Sequence, residues 1–256
     1  MDIRRSCKYV SYCFLILCVC SCRQKLERVV ARYKNGRVAV VRVYPDRSDT
    51  TSFIMKQFYL DGKVERTGFV HKGYYVGNVI TYYKSGVVSQ RDSLLFPCRM
   101  VSGACNEILT YYNENGTISQ QYTVKEGVKS GLCQQYDSKG VLVKAYYLEN
   151  DSNKNGDYKE YFDNGKVLRQ MTYHKDTVVG REYIFKKNGD TVLWDQFYKG
   201  QKSFPFKKWL DDGTTVEGDL VDDKSKMVVW TWRTKEGKEI RKETSLPGKR
   251  GYVVPR

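Results

Sequence analysis

The side chains able to do chemistry are unevenly placed along this chain. It holds eight cysteines and two histidines, and Cys7, Cys13, Cys18, Cys20 and Cys22 crowd the first 22 residues. Cys98, Cys105 and Cys133 are left for the body. In an oxidising compartment Cys98 and Cys105 can close a short loop as a disulfide, worth about 2 to 3 kcal/mol in the loop-entropy model; two free thiols are the alternative. A metal centre is disfavoured, because only Cys133, His71 and His174 could add ligands and their spacing matches no zinc motif. Each histidine stands beside a lysine, Lys72 or Lys175, near a connection, which reads as an exposed loop residue and not as an acid–base pair. The carboxylate pairs Asp211-Asp212 and Asp222-Asp223 read as solvated turn residues, with calcium ligation as the alternative. No Gly-x-Ser-x-Gly elbow, phosphate-binding Gly-rich loop or His-Glu-x-x-His occurs. The expectation is a protein without enzymatic activity, cofactor or metal.

The N-terminal cysteines pose a different chemistry. Arg4, Arg5 and Lys8 precede an apolar run from Tyr9 to Val19, the charged and apolar regions of an export signal too short for a permanent span. The run ends in Val19-Cys20-Ser21-Cys22, which resembles a bacterial lipobox. That resemblance implies a diacylglyceryl thioether on Cys22, cleavage before it, and acylation of the freed amine. Two or more chains make a stable anchor where one does not. A plain signal peptide or an uncleaved N-terminal anchor is the alternative. The chain then divides into a signal peptide at 1–21, an anchor and short linker at 22–30, and a repeat body at 31–256. The expected location is the bacterial cell envelope, with the outer membrane favoured. Arg23, Gln24, Lys25, Leu26 and Glu27 do not specify the leaflet.

The body that must carry these residues is periodic. Gly36, Gly62, Gly86, Gly116, Gly140, Gly165, Gly189, Gly213 and Gly237 follow one another at intervals of 24 to 30 residues. Six follow Asn35, Asp61, Asn115, Asn164, Asn188 or Asp212, and Asx-Gly supplies the positive φ angles of a tight hairpin turn. The other three follow Ser85, Lys139 and Glu236, which predicts a longer turn with only the glycine left-handed. Four residues before most of these glycines stands an aromatic: Phe58, Tyr82, Tyr112, Tyr136, Tyr161, Phe185 or Trp209. Two residues after the first six comes Val38, Val64, Val88, Ile118, Leu142 or Val167. In the last three the aliphatic moves one place on, to Val192, Val216 and Ile240, which predicts an extra turn residue. Two strands of about seven residues and two connections fill each period, and no segment keeps a helical apolar stripe. The prediction is an all-β fold: an elongated antiparallel meander of about nine stacked β-hairpins, forming an open single-layer twisted sheet roughly 85 Å long. The aromatics are read as its packing ladder and not as a stacking surface for sugars or nucleic acid.

The phrase Gly, four residues, Tyr, three residues, Gly, one residue, Leu or Val is similar to the MORN repeat in its bacterial variant. Its closest copies are Gly77/Tyr82/Gly86/Val88, Gly131/Tyr136/Gly140/Leu142 and Gly156/Tyr161/Gly165/Val167, and the resemblance covers nearly all of the mature chain. Arg32 and Arg233 replace the aromatic in the first and last repeats, as expected of capping repeats. The resemblance implies association with proteins and membranes, so the expected role is a lipid-anchored envelope scaffold. The alternative, implied by antitoxin-like bacterial relatives, is an antitoxin or immunity protein that neutralises a toxin. Expected partners are the membrane through the anchor, and a protein or an anionic envelope surface; no specific nucleic acid is expected. Lys and Arg outnumber Asp and Glu by 44 to 29, and removing Asp2, Arg4, Arg5 and Lys8 (+2) leaves +13 of the +15. Spread along the chain, that charge reads first as solubility and second as attraction to anionic surfaces.

Overall fold

The computed structural model describes residues 25–99, 104–222, 224 and 226–246. Cys22 and the stretch 1–21, read from the sequence as a signal peptide, lie outside the described residues. Between the glycines, β-branched and aromatic residues favour extended backbone, and the chain forms nine hairpins. These are β1 (Leu26–Arg32) with β2 (Val38–Tyr44), β3 (Ser52–Phe58) with β4 (Val64–His71), and β5 (Tyr74–Tyr82) with β6 (Val88–Leu94). Then come β7 (Glu107–Tyr112) with β8 (Ile118–Lys125), β9 (Val128–Tyr136) with β10 (Leu142–Glu149), and β11 (Asn153–Tyr161) with β12 (Val167–His174). The last three are β13 (Thr177–Phe185) with β14 (Thr191–Tyr198), β15 (Gln201–Trp209) with β16 (Thr215–Asp222), and β17 (Met227–Arg233) with β18 (Glu239–Ser245). Every strand pairs antiparallel with its neighbours in sequence, so the sheet is an open meander with β1 and β18 as edges. The first strand begins at Leu26, inside the stretch 22–30 read from the sequence as anchor and linker.

One rim of the sheet carries the nine glycine turns, and these are alike. All nine glycines have φ between +79 and +102°. In each, the glycine N–H donates to the carbonyl three residues back, as Gly36 does to Tyr33 at 2.9 Å, while the Tyr33 N–H donates to the Arg37 carbonyl at 2.9 Å. This is the three-residue hairpin loop in which the glycine alone is left-handed. Two sequence expectations are corrected here. None of the six Asn or Asp residues before the glycine has a positive φ. Each instead accepts a hydrogen bond from the N–H just after the glycine, as Asn35, Asp61, Asn115, Asn164, Asn188 and Asp212 do from Arg37, Lys63, Thr117, Lys166, Asp190 and Thr214.

The last three turns also contain no extra residue. They close with the same bonds, Lys186 to Asp190, Leu210 to Thr214 and Thr234 to Lys238. What changes is the strand beyond. Eight hairpins shift register by one residue next to the turn, while β15 and β16 pair without a shift from Trp209↔Thr215 to Phe206↔Gly218. A one-residue slip exchanges the two faces of a strand. Val216 thereby enters the core, whereas Ile240, the residue skipped at the β17–β18 bulge, stays 57% exposed.

The core is one row deep. Residues six after and seven before the turn glycines pair across the sheet: Arg42, Met55, Gly68, Val79, Asp92, Leu109, Tyr122, Cys133, Tyr146, Tyr158 and Met171 follow one another from β2 to β12. Glu182, Asp195, Phe206, Gly218, Trp230 and Glu243 continue the row from β13 to β18. Val79, Cys133, Met171 and Trp230 on this row are almost wholly buried. Three apolar clusters are built around it, at Tyr44/Phe53/Val70, Tyr122/Val124/Cys133 and Val216/Val228/Trp230. Glycine is required at two places on it, because a Cβ at Gly68 or Gly218 would stand 2.7 Å from the ring of Tyr75 or Trp230. The first glycines of the repeat phrase, Gly77, Gly131, Gly156 and Gly180, sit within strands at φ between +71 and +108°. They form bulges there and not turns.

Candidate functional site

The ladder aromatics face away from the core row. Phe58, Tyr82, Tyr112, Tyr136, Tyr161 and Phe185 pair directly with Val64, Val88, Ile118, Leu142, Val167 and Thr191, and Trp209 with Thr215. All seven are half-buried, and among the described residues no second layer lies over the one sheet. Arg32 and Arg233, which replace them at the ends, turn their guanidinium groups onto the carbonyls of Gly36 and Gly237. A second set of rings, one residue nearer the turn, was not singled out by sequence. Tyr33, Tyr59 and Tyr83 donate their hydroxyls to the carbonyls of Phe58, Tyr82 and Tyr112 in the following hairpin. Further ties cross from turn to turn, including Arg37 to the Leu60 carbonyl, Lys63 to Lys84 and Asn115 to Ser138. This rim is stapled along its length.

Besides Arg42 and Glu243 at its two ends, charge enters the core row in two places. Asp92 is 2% exposed and takes Arg66 at 3.1 Å and the Gln90 amide at 2.5 Å. Burial pushes its carboxyl upward, with Gln90 and Arg66 opposing. Burial also raises the neighbouring Glu107, and the Asp92 charge adds to it. Further along, six successive strands each contribute one charge to this face: Lys144, Glu160, Arg169, Glu182, Asp195 and Lys202. Lys144 lies 3.7 Å from Glu160, Arg169 pairs with Glu182, and Lys202 with Asp195. Glu182 and Asp195 are direct cross-strand partners, each 2% exposed. Two carboxylates side by side and out of water require their cations, so this ladder replaces an apolar core by a self-neutralising one. Its signal in the sequence is positional: a carboxylate six after or seven before a turn glycine.

The opposite rim holds the connections between hairpins, and here the structure is irregular. Cys98 and Cys105 are joined as a disulfide with their Cα atoms 5.6 Å apart, both buried. Cys98 exchanges backbone hydrogen bonds with Tyr75, and the Cys105 carbonyl accepts from Gly127, so the inserted connection is docked on β5 and on the β8–β9 turn. Cys133 is a buried free thiol on the core row. Among the described residues no group of three or more His, Cys, Asp or Glu is placed to hold a metal. His71 and His174 end β4 and β12 just before tight turns, and His71 Nδ1 lies 2.8 Å from the Ser52 hydroxyl. Back on the glycine rim, Asp211 pairs with Lys186 at 2.9 Å across a cleft of about 390 Å³ beside Trp209. Asp222 belongs to β16, and Asp223 lies outside the described residues.

Four of the connections are two-residue turns with both φ angles positive: Lys72-Gly73, Glu126-Gly127, Lys175-Asp176 and Lys199-Gly200. The first position favours Asn, Asp or Gly, yet it holds three lysines and a glutamate. Lys226, in the next connection, also has a positive φ of 57°. Lys199 lies beside Tyr198, 66% exposed, with its Nζ 5.3 Å from the ring centroid. Two clefts meet at that tyrosine. One, of about 620 Å³, is lined by Lys175, Thr177, Gln196 and Lys199; the other, of about 440 Å³, by Gln201, Lys202, Ser203 and Lys226. Neither lining includes a carboxylate.

The MORN repeat variant family model matches residues 154–175. That span is the β11–β12 hairpin around Gly165, so the chain contains MORN-repeat structure. The other eight hairpins share its turn geometry with drifting sequence. No curated protein matches the chain.

Proposed function

We propose that this protein is a non-enzymatic scaffold, lipid-anchored in the bacterial cell envelope through Cys22, that binds a protein or an anionic surface. The observation that carries the reading is the open single-layer sheet. A globular domain buries its sheet against a second layer, whereas here a half-buried aromatic ladder runs along one face with no second layer over it among the described residues. Such a surface suits an extended partner, and repeat sheets commonly use it so. The lipobox-like Val19-Cys20-Ser21-Cys22 supports the anchor, and the described β1 begins four residues after Cys22. That distance holds the first hairpin near the bilayer surface.

The anchor is tested by metabolic labelling with a palmitate analogue. Cys22→Ser is expected to abolish labelling and to leave the precursor uncleaved; a variant labelled like the wild type refutes lipidation at Cys22. For the scaffold, affinity capture with the full anchored chain in mild detergent is expected to retain a reproducible envelope component. Substituting the ladder pair Tyr136 and Tyr161 by Ser should release it. Retention by the substituted chain would place binding elsewhere.

A further inference from the structure

We propose that the Tyr198 end of the connecting rim is a binding site for an acidic glycan. Tyr198 serves as a stacking platform, and Lys175 and Lys199 neutralise acid groups on the sugar. This goes beyond the scaffold reading, names a ligand class, and does not depend on the anchor.

Three observations lead there. The first is exposure: a tyrosine ring 66% open to solvent stands where two clefts join, whereas the ladder and core-row rings are half-buried or buried. The apolar C–H face of a pyranose covers such a ring, and the phenol edge stays wet. The second is the polar lining. Thr177 and Gln196 in one cleft and Gln201 and Ser203 in the other offer amides and hydroxyls, which donate and accept at once, as sugar hydroxyls do. Lys175 and Lys199 bring positive charge to the first cleft, while Lys202 in the second is paired with Asp195.

The third is the spacing of the cations. Lys175 and Lys199 occupy successive connections, both with positive φ, and successive connections are two strands, roughly 10 Å, apart. Asn or Gly at these positions would relieve the backbone. Lysine there costs conformational energy, and a site that needs its charge supplies the reason. A polysaccharide with one acid group per disaccharide presents charges at a similar interval. Phosphodiester chains carry theirs more densely, so nucleic acid fits the array less well.

The test uses the full chain in detergent micelles, titrated by calorimetry. Its three probes are a hexasaccharide of alternating uronic acid and N-acetylhexosamine, the same sugar with its carboxyls reduced, and a single-stranded oligonucleotide of equal charge. The acidic hexasaccharide is expected to bind, with Tyr198→Ala weakening it about tenfold or more and Tyr198→Phe keeping most of the affinity. Lys175→Asn with Lys199→Asn removes both charges while easing both turns, and is expected to weaken binding without lowering the unfolding midpoint. The reduced sugar should bind far less tightly. Wild-type affinity in Tyr198→Ala, equal affinity for the oligonucleotide, or no binding of the acidic sugar at millimolar concentration would each overturn the proposal.

Discussion

The two rims of the sheet solve the same problem differently. Both must reverse the chain with left-handed backbone, and both do so next to strands of similar length. On the glycine rim the left-handed position is glycine nine times out of nine, braced at six turns by an Asx acceptor and at several by bonds to the next turn. On the connecting rim that conformation falls on Lys72, Glu126, Lys175, Lys199 and Lys226 as well as on glycines. Connections there range from two residues to the disulfide-closed insertion. Uniformity at one rim marks residues chosen for the backbone; irregularity at the other marks residues kept for their side chains.

The largest effect should come from the one place where the connecting rim is covalently braced. Replacing Cys98 and Cys105 by Ser is expected to lower stability by about 2.5 kcal/mol, the loop-entropy figure for a bridge of this span. A urea midpoint unchanged by both the substitution and a reductant would show that the insertion needs no bridge. Next is Gly116→Val, on the glycine rim. A Cβ at Gly116 meets nothing within 4 Å, so the cost is purely that of a β-branched residue at φ +83°, about 1–2 kcal/mol. Asn115→Ala in the same turn removes the acceptor for Thr117 N–H and the donor to the Ser138 carbonyl, and should cost about 1 kcal/mol. The smallest effect has the opposite sign. Lys175→Asn on the connecting rim is expected to raise the thermal midpoint slightly, a gain of a few tenths of a kcal/mol, since Asn tolerates the left-handed region better. Destabilisation by that variant would mean that the lysine is there for the fold, and the contrast between the rims would fail.

Much of this architecture was legible in the chain because its period is anchored by glycines. The turn positions and the open all-β meander followed from spacing alone. What stayed hidden depends on single-residue register. Bulges at Gly77, Gly131, Gly156 and Gly180 interrupt strict alternation, and a period-2 pattern broken once per strand looks like noise. The missing shift in β15–β16 turned Val216 inward, which the sequence presented as a longer turn. Asp92, Glu182 and Asp195 were invisible as core residues for a related reason. A carboxylate is expected at the surface, and only pairing across strands brings Arg66, Arg169 and Lys202 to it. Tyr198 could not be told from the ladder tyrosines without knowing which rings lack neighbours.

The meander also determines how the molecule yields under load. Every strand is bonded only to its neighbours in sequence, and among the described residues no distant segment crosses or clasps the sheet outside the Cys98–Cys105 loop. Tension applied at the N-terminus therefore meets β1 first and peels hairpins in order, a few hydrogen bonds at a time, instead of shearing many at once. Each 24-residue period would release roughly 80 Å of chain. A tether of this construction pays out in steps and recoils when the pull is relaxed.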